Sequence, residues 1–195
     1  MSLSPEAREL FDLNRETPET RKRYGPKLLG QSALLARRLV EGGVRTVLVR
    51  FKGWDHHESI ARAMTYGFPP KLKALDQAVT ALHEDLARRG LDERVTVVLA
   101  SEFGRTPRIN PRGGRDHYPR VFNAAMAGCG IKGGQVIGAS TADGTAVADD
   151  PVTANDLFCT ICKSLDVDPR KENMSPLGRP MKIVDGGAPV EKLFA

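Results

Sequence analysis

No stretch of the sequence approaches the roughly 18 consecutive apolar residues of a membrane-spanning helix, and its opening residues lack the charged, apolar and small segments of a secretory signal. A soluble chain without a membrane span is therefore expected; export of a parent protein is left open. Aromatic residues are scarce, at 6%, and no nucleic-acid-binding motif is found, which argues against a nucleic-acid partner. Lys and Arg number 29 against 24 Asp and Glu, and the resulting +5 is a modest excess that favours an anionic partner without specifying one. Three cysteines cannot all pair within one chain, so a disulfide scaffold is not expected. Cys159-Thr160-Ile161-Cys162 has the spacing of a redox or zinc pair, but it lies in an apolar helical pattern and has no second pair to join it, which makes it a buried structural pair. There is no internal repeat.

What is present suffices for a core: 41% of 195 residues are hydrophobic, and the expectation is a single domain over residues 1–195 with 166–195 as a surface tail. Ser4-Pro5-Glu6 and Thr17-Pro18-Glu19 place capping residues ahead of Pro, predicting short helices, the first to about residue 13. Leu28, Leu35 and Leu39 predict a helix over 26–41, stopped at Gly42-Gly43. Leu72, Leu75, Val79, Leu82 and Leu86 predict another over 70–89, with Glu84–Arg88 and Asp85–Arg89 pairs on its solvent face and His83 beside them in solvent. Thr153 to Asp156 reads as a capping box opening a helix to about residue 165.

Val44–Phe51 and Val95–Ala100 are β-branched runs of strand length, the second patterned for burial on both faces. Further strands are expected over 121–127, 135–138 and 181–184, with turns at 142–145 and 185–187 and a long loop over 104–120. Alternating helices and strands predict an α/β fold with a mainly parallel sheet and helices on both faces.

Three clusters carry the chemistry: Gly53-Trp54-Asp55-His56-His57, Ser101-Glu102-Phe103-Gly104-Arg105 and Gly114-Arg115-Asp116-His117-Tyr118-Pro119. They hold three of the four histidines. Imidazole with carboxylate is the ligand set of borderline divalent metals, and the first two clusters directly follow strand-like runs, where an open α/β sheet places its ligands. Arg105, Arg108, Arg112, Arg115 and Arg120 surround the second and third clusters. The guanidinium fork suits phosphate or sulfate oxygens, and Arg105 and Arg115, adjoining candidate ligands, are the substrate-binding candidates.

With these motifs the chain resembles the bacterial sulfatase-like family labelled domain of unknown function 1501, within the alkaline phosphatase superfamily. The resemblance runs from Tyr24-Gly25 through Gln31–Leu39, Gly53–His57, Glu102-Phe103-Gly104-Arg105-Thr106-Pro107, Gly113–Pro119, Gly128–Gly138 and Asp156–Asp166 to Gly178-Arg179-Pro180. It implies an alkaline phosphatase-like fold and a divalent ion, whether zinc, manganese, magnesium or calcium, held by Asp55, His57, Glu102 and His117, with Asp116 either a ligand or the acceptor that orients His117. Relatives usually read Trp-Asp-Thr-His at Trp54–His57, so His56 is a departure, placed on the rim because alternate residues of an extended segment face opposite ways. Phe103 stands where many superfamily members have His or Asn, which implies fewer ligands than a two-zinc phosphatase.

The implied reaction is metal-assisted hydrolysis of a phosphate or sulfate ester, with a non-catalytic module binding metal or anionic polysaccharide as the alternative. The resemblance further implies that this chain is the carboxyl-terminal half of a longer fold, whose other half supplies a further acidic ligand and, in related hydrolases, a Ser or Thr nucleophile. Ser101 has no matching nucleophile motif, and the catalytic residue is unassigned. The expectation is little or no turnover of model phosphate or sulfate esters by the 195-residue chain with zinc, manganese, magnesium or calcium supplied in turn. Robust turnover that disappears in His117→Ala would overturn it.

Overall fold

Side-chain caps from Ser4, Thr17 and Thr153 open three of the helices. In the computed structural model, which describes residues 4–194, the chain divides into two compact units: one runs to Leu91 and includes Ile109–Arg115, the other comprises Asp92–Arg108 and the chain from Asp116 onward. Residues 1–3 and 195 of the expected domain lie outside the described part.

In the first unit, Ser4 accepts a hydrogen bond from the Ala7 amide and opens α1 (Pro5–Phe11), which a 3-10 turn (Leu13–Arg15) follows. Thr17 does the same through Thr20 for α2 (Pro18–Tyr24), and α3 (Leu28–Glu41) ends at Gly42. A short α4 (Ile60–Arg62) passes through a π-helical turn (Ala63–Gly67) into α5 (Phe68–Arg88). Tyr24, Ala33, Leu34, Ala78 and Ala81 form the buried core, joining α2, α3 and α5. Gly30 permits the approach of α2 to α3, because a Cβ there would lie 1.9 Å from the Tyr24 carbonyl oxygen.

At the centre of this unit is a charge, and it corrects the reading of Asp85 as a solvent-face residue. Asp85 is 3% exposed and Arg37 1% exposed. The Arg37 guanidinium donates to Glu41 at 2.6 Å, while its Nε and Nη2 lie 3.0 Å from Asp85 and 2.7 Å from Glu16. Those last two contacts lack hydrogen-bond alignment, so their contribution is charge attraction. Arg23 and Tyr24 also donate to Asp85, each at 3.1 Å, and Arg38 donates to Glu16 at 2.6 Å. The expected Asp85–Arg89 pair forms at 3.6 Å, but α5 turns that carboxylate inward, where Arg37, Arg23 and Tyr24 also meet it. The other expected pair, Glu84–Arg88, is on the surface at 3.0 Å.

The second unit contains the strands and corrects the expected fold class. Among the described residues there is no parallel ladder and no sheet with helices on both faces; four two-stranded antiparallel sheets form instead. The alkaline phosphatase-like layering falls with it. Strand β1 (Val97–Ala100) pairs with β4 (Ala124–Ala127), β2 (Gly104–Arg105) with β3 (His117–Tyr118), β5 (Ala139–Ser140) with β6 (Val147–Asp149), and β7 (Glu172–Met174) with β8 (Pro180–Lys182). β1 is half-buried rather than covered on both faces. Val44–Phe51 is outside any helix or ladder, with Val47, Val49 and Phe51 half-buried and Leu48 84% exposed. Residues 135–138 are likewise outside any strand, which begins at Ala139 instead. β-Branched composition selects extended backbone; the partner strand is set by the rest of the chain, so a local pattern cannot specify a parallel neighbour.

Helix α6 (Ala154–Ser164) opens on the expected capping box between Thr153 and Asp156. Its buried Cys159 and Cys162 pack with Val184. Burial, then the neighbouring Cys159, push the Cys162 thiol upward, which suits a packing role rather than a reactive one. Asp156 and Thr160 accept from the Ala188 and Val190 amides at 2.8 and 2.9 Å, tying the following segment to the helix.

Arg37→Met should destabilise the protein by roughly 3–5 kcal/mol in denaturant titration, since it strands buried carboxylates. Burial alone would raise Glu16 and Asp85, but Arg37 with Arg38, and Arg37 with Arg23, outweigh it and hold both below their ordinary values of 4.5 and 3.8. A lowered folded-state value means that the stabilisation is complete above those values and is lost as pH falls through the lower folded ones. Acid titration should therefore show stability declining below 4.5, with a shallower decline in the variant.

Candidate metal centre

The first cluster lies outside helix and ladder and is held against α5. Gly53 has φ +90°, a conformation that favours glycine. Lys71, one turn into α5, donates from Nζ to the Lys52 carbonyl at 3.0 Å and to the Gly53 carbonyl, and lies 5.4 Å over the Trp54 ring. Trp54 stacks on Phe68 at 5.3 Å and meets Phe51 edge-on at 5.5 Å; His56 meets Phe68 edge-on at 5.0 Å. Trp54 and His56 thus share Phe68. Asp55 and His57, the alternate pair, meet each other: His57 Nε2 is 2.9 Å from Asp55 Oδ1.

That separation suits two donors on one ion. Metal bonds of about 2 Å at tetrahedral or octahedral angles put neighbouring ligand atoms about 3 Å apart. It is also the length of an N–H···O bond, so metal content decides between the two. Asp55 is 61% exposed and His57 33%, so both can be reached from solvent.

The other side of this segment rests on residues 109–115. Asn110 Oδ1 accepts from the Arg112 and Gly114 amides at 3.0 and 2.9 Å, closing a turn, and its Nδ2 donates to the His57 carbonyl at 3.0 Å. The Arg115 amide donates to the His56 carbonyl at 3.0 Å and the Ile60 amide to the Gly113 carbonyl at 2.8 Å. Gly114 is buried against the segment: a Cβ there would lie 2.0 Å from the His57 carbonyl carbon.

In the second unit, β2 and β3 place Arg105 opposite His117. Thr106 extends the pairing, its amide donating to the Asp116 carbonyl at 3.0 Å and its hydroxyl accepting from the Asp116 amide at 3.1 Å. The Phe103 ring lies 4.0 Å from the His117 imidazole, with the Arg105 guanidinium 5.6 Å over its centre. Phe103 therefore orients the imidazole by packing. Glu102 is exposed on the bend after β1, and the Ser101 hydroxyl donates to the Phe103 carbonyl at 2.9 Å, a turn-forming role rather than a nucleophile's. A cleft of about 380 Å³ lies elsewhere in this unit, lined by Asp150, Val152, Pro189 and Lys192, and contains none of the candidate ligands.

Sequence reasoning named Asp55 and His57 together and took Arg105 and Arg115 as neighbours of candidate ligands; the structure sets Arg105 opposite His117 and bonds the Arg115 amide to the His56 carbonyl. Sequence reasoning missed Lys71, Asn110 and the packing of Phe103 on His117. Asn110-Pro111 and Gly113-Gly114 are turn signals that could have marked the bracket; nothing local marks Lys71.

A family model described as "Protein of unknown function (DUF1501)" matches residues 1–194. No curated protein and no solved structure matches the chain.

Gly114→Ala should cost roughly 1–3 kcal/mol in chemical denaturation, because the added methyl meets backbone that must move. Hydrogen exchange at the Ile60 and Arg115 amides should accelerate with it. Gly133→Ala, where a Cβ meets nothing within 4 Å, is the control and should change neither.

Proposed function

The chain belongs to the DUF1501 family of proteins of unknown function, and from that premise we propose that it is a divalent-metal-binding, hydrolase-like domain acting in phosphate or sulfate ester hydrolysis. The observation that carries this reading is the Asp55–His57 pair, donor atoms 2.9 Å apart on a segment fixed from both sides. Sulfatase-like character within the alkaline phosphatase superfamily is the corresponding proposal on sequence resemblance.

Asp55 and His57 would bind the ion in the first unit's loop. Glu102, Asp116 and His117 are proposed as metal donors on the same chemical grounds, a carboxylate and imidazole set that suits zinc or manganese and, with fewer nitrogens, magnesium or calcium. A bound divalent ion would supply Lewis acidity toward an ester oxygen. Arg105 and Arg115 would bind the anionic group through the guanidinium fork and set its orientation. Phe103 would keep the His117 ring from turning. Ser101 is assigned no covalent step, its hydroxyl being committed to the turn; this observation supports the second reading, a module that binds metal or anionic polysaccharide without turnover.

Metal analysis of the purified, desalted chain tests the proposal. Retained zinc or manganese is expected, with less retained in His57→Ala and in His117→Ala while each variant keeps its fold by circular dichroism. A wild-type chain carrying no more metal than its buffer would refute the metal-binding reading.

A further inference from the structure

We propose that Asn110 and Lys71 are positioning residues for the Asp55–His57 pair, clamping the loop that carries it at both ends; the inference rests on the metal-binding reading of that pair. Lys71 holds the entry, where its ammonium binds the Lys52 and Gly53 carbonyls. Asn110 holds the exit, where its Nδ2 donates to the His57 carbonyl at 3.0 Å. Asp55 is between them. A segment outside helix and ladder has no repeating backbone bonds to fix its dihedrals, so the geometry of donors two residues apart depends on what holds its backbone. If that ordering is completed on folding, it is not charged against ion binding.

The Asn110 amide has two separable roles. Its oxygen closes the 110–114 turn by accepting from Arg112 and Gly114, and its nitrogen donates to the His57 carbonyl. Asn110→Asp keeps the acceptor and loses the donor, setting a carboxylate oxygen against the His57 carbonyl. Asn110→Ala loses both. Lys71→Met keeps an apolar stem beside Trp54 and Phe51 and loses the ammonium that binds the carbonyls.

The experiment is zinc titration against a chelating indicator, with thermal melts and ¹⁵N spectra of the His57 imidazole for the same proteins. In wild type the ring is expected as one tautomer with Nε2 protonated toward Asp55. Asn110→Asp and Lys71→Met should melt near wild type, bind zinc about tenfold or more weakly, and show ring signals averaged between tautomers. Asn110→Ala should add a fall in melting temperature. Wild-type affinity together with a wild-type ring spectrum in Asn110→Asp and Lys71→Met would overturn the proposal. Should Asn110→Asp fail to fold, Lys71→Met decides by the same two readouts. A wild-type chain that binds no zinc, with a ring spectrum that still shifts in the variants, would refute the metal reading and leave the positioning role standing.

Discussion

The buried guanidinium of Arg37 is the constraint on which the helical unit depends. It joins Glu16, ahead of α2, to Glu41 at the end of α3 and Asp85 near the end of α5. Charges taken from water are tolerated only when paired, and here each carboxylate has more than one cationic or hydroxyl partner. Burial, then Asp85, push the Tyr24 hydroxyl well above its usual range, so it stays protonated and remains a donor. Apolar contacts between Leu34, Ala78 and Ala81 bring the helices together; the charge network fixes their register, because a guanidinium can meet three carboxylates in few arrangements.

That register matters at the other end of α5. Phe68 and Lys71 are in its first turn, and they are the residues against which Trp54, His56 and the Gly53 carbonyl settle. A helix held firmly near Asp85 thus presents a fixed surface for a segment that has no ladder of its own. Two-residue alternation does the rest: one face of the segment is taken up by aromatic packing, and the other presents Asp55 and His57.

The second unit orients its imidazole differently. A short antiparallel pairing sets Arg105 opposite His117, and the Phe103 ring packs against the imidazole with the Arg105 guanidinium 5.6 Å from its centre. An aromatic ring at this position contributes no ligand atom, yet it restricts the His117 imidazole by packing. A family signature read as a ligand list therefore undervalues Phe103, whose effect is packing.

Local chemistry was legible in the residues alone. Ser4, Thr17 and Thr153 begin helices because their side chains accept from the amides left open at a helix start, and Leu spacing marked where α5 runs, although its buried residues are Ala78, Ala81, Asp85 and Leu86 and Leu72 is exposed. The alternation of Trp54 and His56 with Asp55 and His57 was expected from residue order and shows in their contacts. Tertiary structure alone decided the partners. Val44–Phe51 and Val97–Ala100 have strand composition, but ladders are made by distant residues, and the expected parallel sheet gave way to antiparallel pairs. Asp85 reads as a surface carboxylate until α3 brings Arg37 to it. Lys71 and Asn110 carry no signature of their own, because what they hold is backbone carbonyl, a group every residue has and no sequence pattern distinguishes.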